Sequence, residues 1–463
     1  MIDTAALKSR ILEQAFRGNI TKRYTDDENA RILYTKLVNN NKISHIESVE
    51  ELYEIPETWK WISLGNVGKW GAGATPSRKV KDYYGGDIPW LKTGDLNDGM
   101  ITDIPEYITE LALKETSVKL NPVGSVLIAM YGATIGKLGI LEVEATTNQA
   151  CCACSTYEGI YNKYLFYYLM SQRDRLRYMG SGGAQSNISK EKIVGYCFPL
   201  APYAEQIRVV NAIETIFAEL DKIEKLQLHY SVNLEILKSK IINAGIQGKL
   251  TEQLPEDGTA EELLEQIAKE KKQLIKEKKI KATKALPEIT EDEIPFEIPS
   301  NWKWVCLNNT GILQTGATPP KTNPDYFGNV IPFLSPGDIQ DNTIVSYNNQ
   351  GLSNLGIEKA RVVDENSVLQ VCIGGSIGKA AINDRKVTFN QQINSVTPIL
   401  CEAKYLFYCM VSSHFMGKIQ IASAGAAKPI INKSKWVELL IPLPPLAEQK
   451  RIVEKITQIL EQI

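Results

Sequence analysis

Apolar residues fall on a strict alternation of steps of four and three at Val209, Ile213, Ile216, Leu220, Ile223, Tyr230, Leu234, Leu237, Ile241 and Ala244, with Gln227 the one polar position on the seam. This heptad pattern predicts a helix of about 54 Å at 1.5 Å per residue, with a stripe so narrow that it asks for a partner helix. The same register starts again at Ile452, Ile456, Ile459 and Ile463. Elsewhere the pattern is shorter. Apolar runs at 126–130 and 138–143, bounded by Gly, Pro and Asn, predict strands. A helical pattern over 161–179 follows, with aromatics on one face and Arg173, Arg175 and Arg177 along it, read as a solvated face ahead of a phosphate-binding stripe. Together these predict a mixed α/β chain.

The pattern occurs twice. IPETWKW at 55–61 returns as IPSNWKW at 298–304, and GATP at 73–76 returns at 316–319. Ile135, Gly136 and Lys137 return as Ile377, Gly378 and Lys379, Asn148-Gln149 as Asn390-Gln391, and Ala204-Glu205-Gln206 as Ala447-Glu448-Gln449. So many colinear matches mark a tandem duplication of a whole domain with its connector, far longer than a solenoid unit. Pro202 and Pro445 suit a first helical turn, and Glu205 and Glu448 suit its positive end, so a helix begins behind each copy.

The second connector is missing its far half, and the N-terminus supplies it. LKSRILEQAFRGNI at 7–20 matches LKSKIINAGIQGKL at 237–250, with Gly18 on Gly248. The repeat is therefore read as circular, predicting two like domains with approximate two-fold symmetry, separated by two long antiparallel helical spacers. The boundaries are 1–54 for an N-terminal helical segment completing the second spacer, 55–200 for the first domain, 201–297 for a central helical region, 298–443 for the second domain and 444–463 for the last spacer helix. Residues 21–54 and 251–297 form arms on the two spacers. In the second, Leu263, Leu264, Ile267, Leu274 and Ile275 make an apolar stripe, and Lys269, Lys271, Lys272, Lys276, Lys278, Lys279, Lys281 and Lys284 make the distal half basic. Such a segment is either a solvated helix or a docking helix for another subunit or for phosphates.

Composition narrows the chemistry. The net charge of −2 argues against a protein that binds nucleic acid by bulk charge, while leaving room for a local basic face. No apolar run approaches a membrane span and the N-terminus lacks a signal-peptide core, which predicts a cytoplasmic protein with no membrane partner. Cys151, Cys152 and Cys154 cluster, but their counterparts are Ile393, Asn394 and Val396, so a buried strand is the better reading than zinc. His45, His229 and His414 sit at unmatched places. Residues 132–137 and 374–379 have three residues between their glycines where a nucleotide loop needs four. With no methyl-donor loop either, the chain reads as non-catalytic, with no metal site.

The GATP, IPW, IGK, NQ and PLPPLAEQ elements, in this order and spacing over essentially the whole chain, resemble the DNA-specificity subunits of Type I restriction-modification systems. The stretch GKLTEQLPEDGTAEELLEQI at 248–267 is similar to that family's central region. The resemblance implies a subunit without activity of its own. Its two target-recognition domains would each read one half of a split double-stranded DNA target, and the helices would set the gap. Two modification (methyltransferase) subunits would dock on it and, through them, ATP-dependent restriction subunits. S-adenosylmethionine, ATP and Mg would belong to those partners, leaving this chain with no cofactor. The specificity subunit of a combined system, whose one partner both methylates and cuts, shares this architecture. A non-DNA pseudo-symmetric scaffold or carbohydrate binder predicts aromatic platforms in both copies, yet Trp70 and Tyr131 are replaced by Leu313 and Ile373.

The copies also suggest which residues meet DNA. Positions held in both, Thr75 with Thr318 and Lys137 with Lys379, suit the scaffold or phosphates. Positions that differ can read different bases: Lys92-Thr93 against Ser335, and Gln185-Ser186-Asn187 against Lys428-Pro429-Ile430. Ser77, Arg78, Lys79, Tyr131 and Lys190 in the first copy, with Lys321 and Lys433 in the second, complete the candidate set. Unlike loops imply an asymmetric target.

Overall fold

The computed structural model describes residues 1–41, 49–180, 187–282, 286–340, 345–347, 349–424 and 429–463. The chain divides into two compact units, Met1–His229 and Tyr230–Ile463. One helix, Tyr203–Ile246, runs through the boundary.

In unit 1 a five-stranded sheet has the order Gly68–Ala72, Cys151–Thr156, Val126–Ala129, Leu138–Leu141, Gly99–Ile101. Its last pair is parallel and the rest antiparallel. A second sheet joins Tyr107–Ile108, Tyr84–Leu91 and Thr146–Thr147, and a two-stranded ribbon pairs Lys60–Ser63 with Cys197–Leu200. Unit 2 repeats the plan. Its main sheet runs Gly311–Thr315, Ile393–Pro398, Val368–Val371, Ala380–Ile382, and its ribbon pairs Lys303–Cys306 with Leu440–Leu443. Register is conserved between the units: Trp61 faces Pro199 and Trp304 faces Pro442.

Each unit also builds the same helix pair, from different parts of the chain. In unit 1 the helix Thr4–Phe16 lies antiparallel on the first half of the long helix, with Lys8 ion-paired to Asp221 and the backbone of Ile2 held by the Gln227 amide, which donates to its carbonyl at 3.1 Å and accepts from its N–H. In unit 2 the second half of the long helix packs on Leu446–Leu460, where a Cβ on Gly245 would come within 2.5 Å of Ile456. Both N-terminal members of these pairs end in a left-handed glycine, Gly18 at φ 76° and Gly248 at φ 72°, and in each case the N–H five positions beyond a carbonyl closes the last turn. The chain then turns under Pro56 or Pro299 so closely that an added Cβ would meet its ring at 2.4 or 2.5 Å. This explains why Gly18 and Gly248 match.

The cores follow the same correspondence. Phe16, Leu33, Leu37, Trp59, Tyr164, Val209 and Ile213 are buried in unit 1, and Ile246, Leu263, Ile267, Trp302, Tyr405, Ile452 and Ile456 in unit 2. The arms therefore fold back on their own unit. The helix Ala260–Lys276 commits its apolar stripe to the core of unit 2, as Ala30–Asn41 does in unit 1, each tied by its first N–H to a carbonyl of the turn ahead of the WKW strand, Asn301 and Thr58.

Two expectations need correction. The helical pattern of 161–179 is two helices, Asn162–Ser171 and Arg173–Gly180, broken at Gln172, which turns inward to accept from the Tyr196 hydroxyl at 2.9 Å. Unit 2 breaks likewise, at Ser412, whose extended backbone and hydroxyl cap the following helix. The heptad seam is buried at Val209, Ile213 and Leu220, but Tyr230 is 62% and Leu237 43% exposed. The helices packed on it span 13 and 15 residues against its 44; the first reaches as far as Gln227, which holds Ile2, and the exposed seam positions lie beyond it.

Candidate nucleic-acid interface

Strand register decides where the candidate residues go. In unit 1 Ala72 ends its strand opposite Cys152, near the start of the next, and Cys152 faces Ile128, near the end of a third. Residues 73–79, 148–150 and 130–137 therefore leave the sheet at one end. Leu91 lies beside Thr147 in a parallel pair, so Lys92 and Thr93 emerge beside them. Tyr131 bridges to Asn187, which brings the start of the Lys190–Val194 helix to the same end. Unit 2 gathers 316–321, 390–392, 372–379 and Ser335 in the same way, with Ile373 bridged to Ile430. Gln185, Ser186 and Lys428 lie outside the described residues.

A shared frame holds this end. The hydroxyl of Thr75 donates to the side-chain oxygen of Gln149, and Thr318 does the same to Gln391. Ala74 and Ala317 donate their N–H groups to Thr147 and Phe389 at 2.9 Å. A Cβ on Gly73 or Gly316 would sit 2.2 or 2.1 Å from a backbone oxygen of that turn, so only glycine permits the approach. GATP and Asn-Gln are thus two halves of one clamp, and the two threonines position it.

On this frame the units carry different side chains. In unit 1 Glu106 accepts from two cations: Arg78 at 2.8 Å and Lys92. Arg78 also lies 4.3 Å from the Tyr84 ring centroid, and Lys92 lies 5.6 Å from the Trp90 centroid. Ser77 and Lys79 are exposed beside them. In unit 2 Lys321 is exposed, while Ser335 is tied down: Asp338 accepts its N–H at 2.8 Å and its hydroxyl at 2.7 Å. Asn349 donates to the other oxygen of the same carboxylate at 2.5 Å.

The glycine loops are also braced differently. In unit 1 Arg173 donates from Nε to the Gly136 carbonyl at 2.9 Å and pairs with Asp98, and Arg177 donates to the Ile135 carbonyl at 3.0 Å. These two arginines hold the loop that presents Lys137; Arg175 and Arg177 are exposed, as a solvated face requires, and Arg173 is only half-buried. In unit 2 the methyl of Met416 fills the space beneath Gly378. The fully buried Gln370 there donates to the Gly378 and Met410 carbonyls at 3.0 and 3.1 Å, and accepts from the Trp436 indole at 2.8 Å. Lys190 leads its short helix in unit 1; its counterpart Lys433 donates to the Leu313 carbonyl at 2.9 Å, and burial, then Arg361, lowers its pKa. Glu106 and Gln370 were not among the sequence candidates, and Arg173 and Arg177 were named there without this bracing role. The signals were present: arginines four apart on one helix face, and a lone Gln in the apolar run VLQV.

Cys151, Cys152 and Cys154 line a buried strand, and burial holds all three thiols well above their ordinary range, that of Cys152 at about 12. Among the described residues no group of three or more His, Cys, Asp or Glu could hold a metal ion. His414 packs edge-on against Phe296 and Trp304, a structural setting. No described helix is long and apolar enough to cross a membrane.

Comparison with known proteins gives this fold a family. The profile of the Type I restriction modification DNA specificity domain matches residues 56–233 and again 299–463, and the chain belongs to that family. The Type I restriction enzyme MjaIX specificity subunit of Methanocaldococcus jannaschii is 25% identical over 414 residues, 85% of this chain and 85% of that protein. The EcoEI specificity subunit of Escherichia coli is 23% identical over 533 residues, 97% of this chain and 88% of that protein. Two solved structures share the fold, each at 18% identity over 89% of this chain and 92% of theirs. One, a chain from a study of complex assembly and conformational transition of the type I R-M system, has a TM-score of 0.64; the other, the HsdS subunit from Thermoanaerobacter tengcongensis, has 0.53.

Proposed function

We propose that this member of the Type I DNA-specificity family reads an asymmetric, two-part duplex target, one half with the strand-end loops of each unit. One observation carries the reading: both units hold the same Thr–Gln clamp at the same end of the same sheet, but mount unlike polar groups on it. A shared frame suits a shared duplex backbone, and differing side chains suit differing base edges. Arg78, Lys79, Lys92 and Tyr131 in unit 1, and Lys321, Lys379 and Lys433 in unit 2, are the side chains we assign to the duplex. The helical pairs hold two modification subunits and, through them, the restriction subunits. The long helix sets the interval between the half-sites. S-adenosylmethionine, ATP and Mg belong to those partners, and the complex works in the cytoplasm.

The test is to express the chain with its methyltransferase in a host lacking such systems and to map adenine methylation across the genome. A bipartite motif is expected. Exchanging residues 73–79 and 92–95 for those of another specificity subunit should change one half only. A change in both halves, or a continuous motif, overturns the division of labour.

A further inference from the structure

The packing of the arm helix in unit 2 leaves three lysines of its basic half exposed. Ala260–Lys276 buries Leu263 and Ile267, and Lys269, Lys272 and Lys276 stand on the opposite face, exposed around a shallow groove with Glu265 and Gln273. No ion pair among the described residues engages these three lysines, although Lys279 nearby is paired with Glu277. The helix closes on Lys278, which holds a left-handed φ of 57° where the two spacer helices close on Gly18 and Gly248. From 269 to 281 there are seven lysines and two glutamates, in a chain of net charge −2. The corresponding helix of unit 1, Ala30–Asn41, carries only Arg31 and Lys36, and Lys36 is paired with Glu28. The short turn Leu307–Asn309 packs against both this helix and the Lys433–Val437 helix of the candidate interface, and the carbonyl of Asn308 accepts from Lys271.

We infer that the exposed face of Ala260–Lys276 is a phosphate-binding ridge for duplex DNA flanking the half-site read by unit 2, contributing affinity without base preference. This rests on the DNA-reading role proposed above. Periodic ammonium groups on a rigid helix, without an ion pair among the described residues, suit a backbone of regularly spaced charges. Because the helix already spends its apolar face in cis, a protein partner would find only charge on the side that remains.

The test uses the full chain in complex with its methyltransferase, carrying Lys269→Gln, Lys272→Gln and Lys276→Gln together. Binding is measured across a salt series to a duplex ending at the target and to one extended beyond the unit 2 half-site. On the extended duplex the variant should bind about tenfold more weakly, with the slope of log affinity against log salt reduced by about 2 to 3, as expected for three phosphates. On the trimmed duplex it should match the native complex. The corresponding triple Lys→Arg variant should restore binding. Equal loss on both duplexes, an unchanged slope, or loss of the methyltransferase on purification would overturn the ridge. A methylation motif that is not bipartite would overturn the reading role instead, and is scored separately.

Discussion

Trp59 donates its indole N–H to the buried carboxylate of Glu205 at 2.8 Å, and Trp302 makes the same bond to Glu448 at 2.8 Å. The pair fastens the strand that opens each domain to the helix that leaves it. Thr21 and Thr251 reach the same carboxylates, and one turn on Arg208 and Arg451 pair with Asp27 and Asp257. Burial raises the Glu205 pKa above its ordinary value, against the Trp59 bond and the nearby Arg208. For an acid so shifted, stability is fully present below its unfolded pKa and is lost as pH rises through the folded one. Glu205→Gln, which keeps an acceptor for Trp59, should leave stability at neutral pH within about 1 kcal/mol of native and flatten its pH dependence above 4.5. Glu205→Ala strands the indole N–H and should cost about 2 to 3 kcal/mol. Urea unfolding across pH reads both, and equal effects of the two substitutions would contradict the assignment.

The braces under the two glycine loops predict one-sided defects. Gln370→Leu removes an amide that makes three buried bonds, leaving the Trp436 indole and two carbonyls unmatched, at a cost of about 2 to 4 kcal/mol. Recognition of the unit 2 half-site should relax while the other half of the methylated motif stays sharp. Arg173→Met should do the reverse.

Contacts explain how much could be read in advance. The tags that return intact are the ones that touch: Trp59 with Glu205, Thr75 with Gln149, Gly18 with Pro56. A duplication preserves a contact only if it preserves both partners, so the frame was legible as matched words. The braces were not, because Arg173 acts on a loop 37 residues earlier, and Gln370 stands where unit 1 has Ile128, so neither has a matching word. The helix break at Gln172 was hidden by an apolar pattern that continues across it. Local periodicity likewise gave no sign that the seam would leave Tyr230 and Leu237 exposed while burying Val209, Ile213 and Leu220.

Glu106 should act as a restraint on two cations. Its partners are partly exposed, so Glu106→Gln should change stability by less than about 1 kcal/mol. Freed from the carboxylate, Arg78 and Lys92 should bind phosphates more indiscriminately. Affinity for duplex lacking the target should rise, more so at low salt, and discrimination at the unit 1 half-site should fall. Gel-shift titrations against target and non-target duplexes give both numbers; a fall in non-target affinity would show that Glu106 does not restrain them.

Lys271 gives unit 2 a pH dependence of opposite sign. Burial against the core lowers its pKa from 10.5 to about 8, while its ammonium still donates to the Asn308 carbonyl. A lysine depressed in the folded state costs stability wherever both states are protonated, below about 8, and costs nothing above 10.5 where both are neutral. Unit 2 should therefore become more stable between these values, by up to about 3 kcal/mol at 1.36 kcal/mol per pKa unit. Lys271→Met keeps the apolar stem and removes the charge. It should abolish that rise and stabilise the unit by about 1 to 2 kcal/mol at neutral pH, the lost bond to Asn308 offsetting part of the gain. Denaturant titrations of native and variant chains between pH 7 and about 10.5 should cross, the native chain ending the more stable by about the worth of the Asn308 bond; curves that stay parallel would mean the ammonium is not held at a cost. Because Lys271 faces inward while Lys269 and Lys272 face out, the same substitution should leave the salt dependence of DNA binding unchanged, which separates the residue that anchors the helix from those that charge its surface.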